Sequence, residues 1–276
     1  MSKRGQLAAA LRVGTPWGAY GALRDQLGSV RDVYLAGDRI RRRDDMGGQN
    51  ELVLLLHGFF QTRNIWEIME DRLRFDGYGV MSFQLGGLLW KYNTNPIDRL
   101  AQQVAEKVER LAEKHAFDRI HIVGHSKGGL IARRYVQHYG GDKRVKSLIT
   151  LGTPHHGTHT AWLGVALMGF GALPSSASEL LPGSRVIRHL GRDVFPTHIP
   201  LTSVYSKVDV VCPWWASVLR PRPGESHLSN VSVPGVGHSE LVWDPGVYSV
   251  VRSRLTAASE LWRERGAPPA VSPSTV

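Results

Sequence analysis

The stretch Ile122-Val123-Gly124-His125-Ser126-Lys127-Gly128-Gly129-Leu130 sets one serine among glycines at a change of pattern. Before it, Arg119 to Val123 reads as a short strand; after it, Lys127 to His138 reads as a helix. In a chain with 30 glycines the bare G-x-S-x-G pattern is a weak signal. The strand before it and the helix after it give it meaning. A turn of that kind bends sharply enough to lift a hydroxyl to the carboxyl edge of a sheet, where ligands bind in open α/β folds. A phosphate-holding turn would need the order G-x-x-x-x-G-K-[ST], which this stretch does not have.

Outward from the serine, strands alternate with helices. Glu51 to His57 (ELVLLLH) holds a continuous apolar run of strand length, as in a strand buried on both faces of a parallel sheet. Thr62 or Asn64 can cap a helix through Trp66, Met69 and Leu73, with Gly77 ending it, and Tyr78 to Phe83 follows as a strand. Asn95-Pro96 predicts a helix start, a capping side chain and then proline at the first helical position. Ile97, Ala101, Val104, Val108 and Leu111 then share one helix face. Lys146 to Leu151, Leu201 to Tyr205 and Asn230 to Val233 are further strands, and Pro245 to about Arg263 a closing helix. Upstream, Trp17 to Leu27 reads as a helix and Val30 to Ile40 as one or two short strands.

This alternation predicts an α/β fold, a parallel sheet with helices on both faces, in a single domain over residues 1–265. Residues 158–200 break the pattern: about forty residues with no obvious strand, opening on the apolar AWLGVALMGFGAL, are expected to form a lid or cap insertion. The tail 266–276 (GAPPAVSPSTV) has the composition of a disordered segment.

Composition narrows the class. Of 276 residues, 42% are hydrophobic and 21% charged, as in ordinary globular proteins. Lys plus Arg (34) exceeds Asp plus Glu (24), for a net charge of +10. The one dense basic run, Arg39 to Arg43, meets Asp44 and Asp45 at once and reads as a solvated connection. No nucleic-acid-binding motif accompanies it, so no nucleic-acid partner is expected. Cys212 is the only cysteine, which excludes an intrachain disulfide. The early apolar run Leu7 to Leu11 is shorter than the ~7–15 residues of a secretory core, and Trp162 to Leu173 falls short of the ~20 needed to cross a bilayer. A soluble cytoplasmic protein is the expectation; export by a route without a recognisable signal peptide leaves no trace in sequence.

A serine hydroxyl needs a base before it can act as a nucleophile at neutral pH. In this elbow geometry an acid and then a histidine follow the serine along the chain. Asp142 falls at the end of the helix after the elbow, on the wrong side, and Asp193 in the insertion. Asp209 follows the strand LTSVY, at the carboxyl edge. His227 precedes the last strand and belongs at the far edge, whereas His238 follows it in the loop VPGVGHSEL. The catalytic assignment is therefore Ser126 as nucleophile, His238 as general base and then acid, and Asp209 as the group that orients the imidazole. Donors for the oxyanion are the backbone N–H of Lys127 and, from the loop after ELVLLLH, that of Phe59, with Gly58 permitting close backbone approach.

Four stretches in the order HGFFQ, GHSKGG, LGTPHHGT and YSKVDVVCP with GVGH together resemble the α/β-hydrolase-fold lipases and esterases. The resemblance runs from about Glu51 to His238. LGTPHHG is its most distinctive piece, similar to the corresponding segment of bacterial true lipases and of the lipase-like domain of GPI inositol-deacylases. It implies an α/β-hydrolase fold with the triad and oxyanion donors just named. Because residues 1–50 offer at most two strands, a shortened, mostly parallel sheet of six or seven strands is expected. Some such relatives bind calcium or zinc. Glu240 with Asp244, or His155 with His156 and His159, falls short of a complete ligand set, so no metal and no cofactor is expected. The histidines read instead as anchors for the cap.

The apolar face of the insertion, including Trp162, Leu163, Val165, Leu167, Met168 and Phe170, points to a greasy acyl site. Trp162, Leu163, Phe60 and the pair Trp214-Trp215 beside Asp209 are the candidate substrate-binding residues. The expected activity is hydrolysis of carboxylic esters with a hydrophobic acyl chain, on a small-molecule or lipid ester, with the basic surface suited to peripheral contact at a lipid interface. Acyl transfer, thioester cleavage and a non-catalytic ligand binder on the same fold are the alternatives.

Overall fold

Strand β1, Leu52–Leu56, has every side chain buried, as its unbroken apolar run requires. It is flanked by parallel partners on both sides: Leu54 pairs with Met81 of β2 (Gly79–Phe83) and with Ile122 of β3 (Ile120–His125). Strands β4 (Val145–Leu151), β5 (Leu201–Ser206) and β6 (Leu228–Val233) extend the sheet on the β3 side. The computed structural model describes residues 51–87, 93–160 and 175–266. Among these the sheet has six strands, all parallel, in the order β2-β1-β3-β4-β5-β6. The elements expected at Trp17 to Leu27 and Val30 to Ile40, the Arg39 to Arg43 run, Trp162, Leu163 and the tail beyond Gly266 lie outside the described residues.

The helices divide between the two faces according to the direction of each crossover, since right-handed βαβ connections allow no other placement. Helix α1 (Glu67–Phe75) carries the chain from β1 to β2; Met69 and Leu73 pack against Val53 and Leu55. The closing helix α7 (Pro245–Glu264) joins that face through Val247, Val251 and Leu255. The connections toward β6 lie on the opposite face. There α2 (Ile97–His115) and α3 (Lys127–His138) bury Leu100, Val104, Val108, Leu130 and Ile131 against Leu52, Leu54 and Leu56. Each of these buried side chains contributes about 1.5–3 kcal/mol. Of the α2 positions expected inside, Leu111 is only partly buried. The chain reverses its course across the sheet at β1, which places the ligand-binding crevice of an open α/β sheet at the carboxyl ends of β1 and β3.

Two helix starts differ from the sequence reading. Residues Arg63–Trp66 form a 3-10 turn before α1, and Thr62 makes no side-chain capping bond. Pro96, rather than Asn95, occupies the N-cap of α2, with extended ψ of 146° and no side-chain cap. The orphan N–H of Ile97 instead donates to Glu179 Oε2 at 2.8 Å. A carboxylate distant in sequence thus does the capping, which no local pattern discloses.

Between β4 and β5 the described residues hold two helices, α4 (Ser175–Ser178) and α5 (Arg185–Arg192), and no strand. Ser184 caps α5, its side-chain oxygen accepting from Ile187 N–H at 3.3 Å. Leu180, Val186, Ile187, Leu190, Phe195 and Ile199 are buried in the same core as α2 and α3. The latter half of the expected insertion is therefore packed into the body of the domain. A short helix α6 (Trp214–Ser217) follows β5.

Candidate active site

Ser126 stands between the end of β3 and the first residue of α3, with φ of 54° and ψ of −124°. A non-glycine residue pays of order 1–3 kcal/mol to hold such a conformation, and the surroundings must enforce it. They do. Ser126 N–H donates to Leu151 O of the next strand at 2.9 Å, and its carbonyl accepts from Thr153 Oγ1 at 2.9 Å. The helix can reach the sheet only because residue 128 is glycine: a Cβ there would lie 2.1 Å from Leu56 O. On the other side a Cβ at Gly58 would come within 2.9 Å of the serine's own Cβ. The loop after β1 thus passes directly against the serine, which remains partly exposed.

Asp209 and His238 meet. His238 Nδ1 donates to Asp209 Oδ2 at 2.7 Å, and both residues are buried. The aspartate's other oxygen, Oδ1, accepts from Val211 N–H at 2.9 Å and Cys212 N–H at 2.7 Å. Asp209 therefore makes the local turn bonds common to aspartates and orients the imidazole as well. With its proton on Nδ1, a neutral His238 presents Nε2 as an acceptor. The other candidates lie elsewhere: Asp142 in a 3-10 turn after α3, Asp193 paired with His138 Nε2 at 3.0 Å, and His227 against Phe195.

The loop after β1 is held by groups that sequence reasoning passed over. His57 is fully buried; its Nε2 accepts from Leu85 N–H at 3.1 Å, so its Nδ1–H donates to Gly58 O at 3.2 Å. Gln61 N–H donates to the same carbonyl at 3.3 Å. Two bonds on Gly58 O orient the Gly58–Phe59 peptide and hence the Phe59 N–H on its opposite edge. Burial, partly offset by the bond to Gly58, lowers the His57 pKa to about 4, with the charge of Lys127 adding to the fall. Gln61 Oε1 accepts from Gly58 N–H at 2.8 Å and lies 2.9 Å from His125 Nδ1. His125 Nε2 lies 3.0 Å from His238 O. Burial, with the charge of His238 second, drives the His125 pKa well below its ordinary value. A neutral ring has one N–H, so His125 donates to one of these two oxygens at a time. It links the loop after β1 to the backbone of His238.

Phe60 also has positive φ, 54°, and packs against Phe59 and Ala177 of α4 with 6% exposure, so it forms the seat of the insertion. Trp214 and Trp215 open α6, 41% and 58% exposed, with ring centroids 5.9 Å apart. Val210 and Val211 are exposed beside them. The histidines of LGTPHHG are taken up by the fold. His155 Nδ1 accepts from Arg133 and its Nε2 donates to Thr150 Oγ1 at 3.0 Å, while His156 Nε2 donates to Val218 O at 2.9 Å. Arg133 in turn donates to Leu190 O of α5 at 2.7 Å, which ties His155 to the insertion. Glu240 accepts from Gly237 N–H and Asp244 caps α7. Among the described residues no three His, Cys, Asp or Glu side chains cluster as metal ligands would.

A family model described as the alpha/beta hydrolase fold matches residues 51–180. The mature lipase of Bacillus licheniformis superposes with a TM-score of 0.61 at 15% identity, covering 79% of this chain and 96% of that one. The fold is that of the α/β hydrolases. Aspergillus fumigatus lipase B superposes on this hydrolase fold with a TM-score of 0.64 at 17% identity, over 81% of this chain and 58% of the other. In sequence, a Staphylococcus epidermidis lipase is 30% identical over an alignment of 165 residues that covers 50% of this chain and 20% of the lipase. A Candida albicans GPI inositol-deacylase is 28% identical over an alignment of 128 residues that covers 44% of this chain and 25% of the deacylase. This hydrolase-fold chain thus spans a fifth to a quarter of the curated relatives it matches.

Proposed function

We propose that the chain is a serine hydrolase that cleaves carboxylic esters bearing a hydrophobic acyl chain, through an acyl-Ser126 intermediate. The observation that carries this reading is the 2.7 Å bond between His238 Nδ1 and Asp209 Oδ2 at the same sheet edge as the strained Ser126. His238 Nε2 takes the hydroxyl proton as Ser126 Oγ attacks the ester carbonyl. The N–H groups of Phe59 and Lys127 receive the developing oxyanion. Collapse expels the alcohol, which leaves with the proton held on His238. Water, deprotonated by the same imidazole, then attacks the acyl carbonyl; the acid departs and Ser126 regains its proton.

The exposed rings of Trp214 and Trp215 offer an apolar wall to an acyl group, and the names of the sequence relatives support an ester substrate. Exposed Val210, Val211, Trp214 and Trp215 together with the +10 charge suit contact with a lipid interface. Among the described residues no helix is long and apolar enough to cross a membrane. The test is a panel of chromogenic esters of increasing chain length, with thioesters and amides, run beside Ser126→Ala. Ester turnover by the wild type that Ser126→Ala abolishes supports the reading; no ester turnover, or turnover undiminished in the variant, removes it.

A further inference from the structure

The hydrolytic reading uses Lys127 only through its backbone N–H, yet its side chain is completely buried. Nζ donates to Asn95 O at 2.6 Å and Asn93 O at 3.2 Å, and lies 5.1 Å from the centre of the Phe59 ring. Among the described residues no carboxylate makes an ion pair with it; Glu179 acts from farther off. Burial pushes its pKa down to about 7. A buried ammonium without a paired carboxylate is costly, and an apolar side chain of similar length would fill the space at less cost. Departures of this kind concentrate where function demands them.

What the ammonium holds leads back to the oxyanion loop. Asn93, whose carbonyl it grips, donates from Nδ2 to His57 O at 2.8 Å. That carbonyl belongs to the peptide entering Gly58, and His57 Nδ1–H fixes the next carbonyl, Gly58 O. The peptide entering Gly58, the one before the Gly58–Phe59 peptide, is thereby tied through Asn93 to Nζ, and the Phe59 ring lies beside the same nitrogen. The other proposed donor is the N–H of Lys127 itself. One residue therefore spans both donors, one with its backbone and the other with its side chain.

We propose that the Lys127 side chain is a positioning residue that sets the spacing of the two oxyanion donors by clamping residues 93–95 and the loop after β1 to the start of α3. The proposal rests on the reading of Ser126 as nucleophile. Its test compares wild type, Lys127→Met and Asn93→Ala, with Ser126→Ala as control. The readouts are the rate of Ser126 labelling by a fluorophosphonate probe, kcat and KM on a short-chain chromogenic ester, and Tm. Lys127→Met should lower the labelling rate and kcat by about 10–100-fold, as a donor displaced by a fraction of an ångström would. KM should stay within about threefold, because ground-state binding is untouched. Tm should be equal to or above that of the wild type, since burial of an unpaired charge is relieved. Asn93→Ala should show the same kinetic signature, more weakly. Labelling and kcat within about twofold of wild type in Lys127→Met, with a lowered Tm, would show a structural lysine and overturn the proposal. If that variant does not fold, wild-type rates in Asn93→Ala overturn it alone. A wild type that the probe does not label overturns the nucleophile reading and this one with it, whereas a labelled wild type beside an undisturbed Lys127→Met sinks only this one.

Discussion

Asp209 and His238 stand 29 positions apart in sequence, yet Oδ2 of one receives Nδ1–H of the other at 2.7 Å while Oδ1 is held by two backbone N–H groups of its own turn. The carboxylate is anchored independently of the histidine it orients.

Asp209→Asn should therefore leave the fold intact and damage the chemistry. If the amide oxygen stays on the two N–H groups, its NH2 faces His238 Nδ1 and favours the tautomer with the proton on Nε2. The expected fall in kcat is about 10³–10⁴-fold. Steady-state kinetics on a short-chain ester beside a circular-dichroism melt decide it; a kcat within tenfold of wild type would mean that Asp209 does not orient the base.

Trp215, 58% exposed, and Trp214, 41% exposed, contribute little to the core. Replacing both with alanine should shift stability by about 1 kcal/mol or less, as surface changes do. Each methylene of the acyl chain that loses its apolar wall is worth up to about 0.8 kcal/mol. Hence kcat/KM should fall for long-chain esters and change little for acetate esters. An equal loss across chain lengths would place the tryptophans outside the acyl site.

Buried neutral histidines make stability sensitive to acid. The His57 pKa is lowered from 6.5 to about 4, so below pH 6.5 the unfolded chain takes up a proton that the folded one refuses. Unfolding free energy therefore falls as pH drops from 6.5 toward 4, by up to about 3 kcal/mol from this residue. His125 and His155 are shifted in the same direction, both chiefly by burial, and add to the trend. Urea titrations at pH 7.5 and 5 should show a clear loss at the lower pH; equal midpoints would contradict the buried, neutral assignment.

Gly128→Ala sets a methyl group 2.1 Å from Leu56 O, a backbone atom of the central strand. Either α3 moves off the sheet or the Ser126 turn relaxes. Overpacking of this severity costs about 1–3 kcal/mol or more, and probe labelling of Ser126 should fall even in the folded fraction. A variant with wild-type Tm and labelling would show that the elbow does not need this close approach.

Much of the fold is legible along the chain because its signals are local. The runs ELVLLLH and Arg119 to Val123 have mostly apolar cores, Leu52 to Leu56 without a break and Ile120 to Val123 with His121 as the exception, as suits parallel strands between two helical layers, and the two strands are neighbours inside the sheet. Lys127–His138 is a helix with the limits its sequence suggested. Chain order left Asp142, Asp193 and Asp209, and position just past the strand LTSVY favoured Asp209, because a residue just past a parallel strand emerges at the carboxyl edge.

What the sequence determined by itself is the pattern: strand, sharp turn at Ser126, helix, then an acid and an imidazole after later strands. Hydrophobic period and glycine placement act over a few residues, and a short window contains them. Only the tertiary structure decided which groups hold that pattern in place. Glu179 caps a helix 82 positions earlier, Lys127 reaches back 32 to Asn95, and His125 lies against the backbone of a residue 113 positions on. These are long-range contacts to backbone atoms, which every residue carries alike. No residue type or spacing announces them, and they exist only once the sheet and helices have fixed where each loop passes.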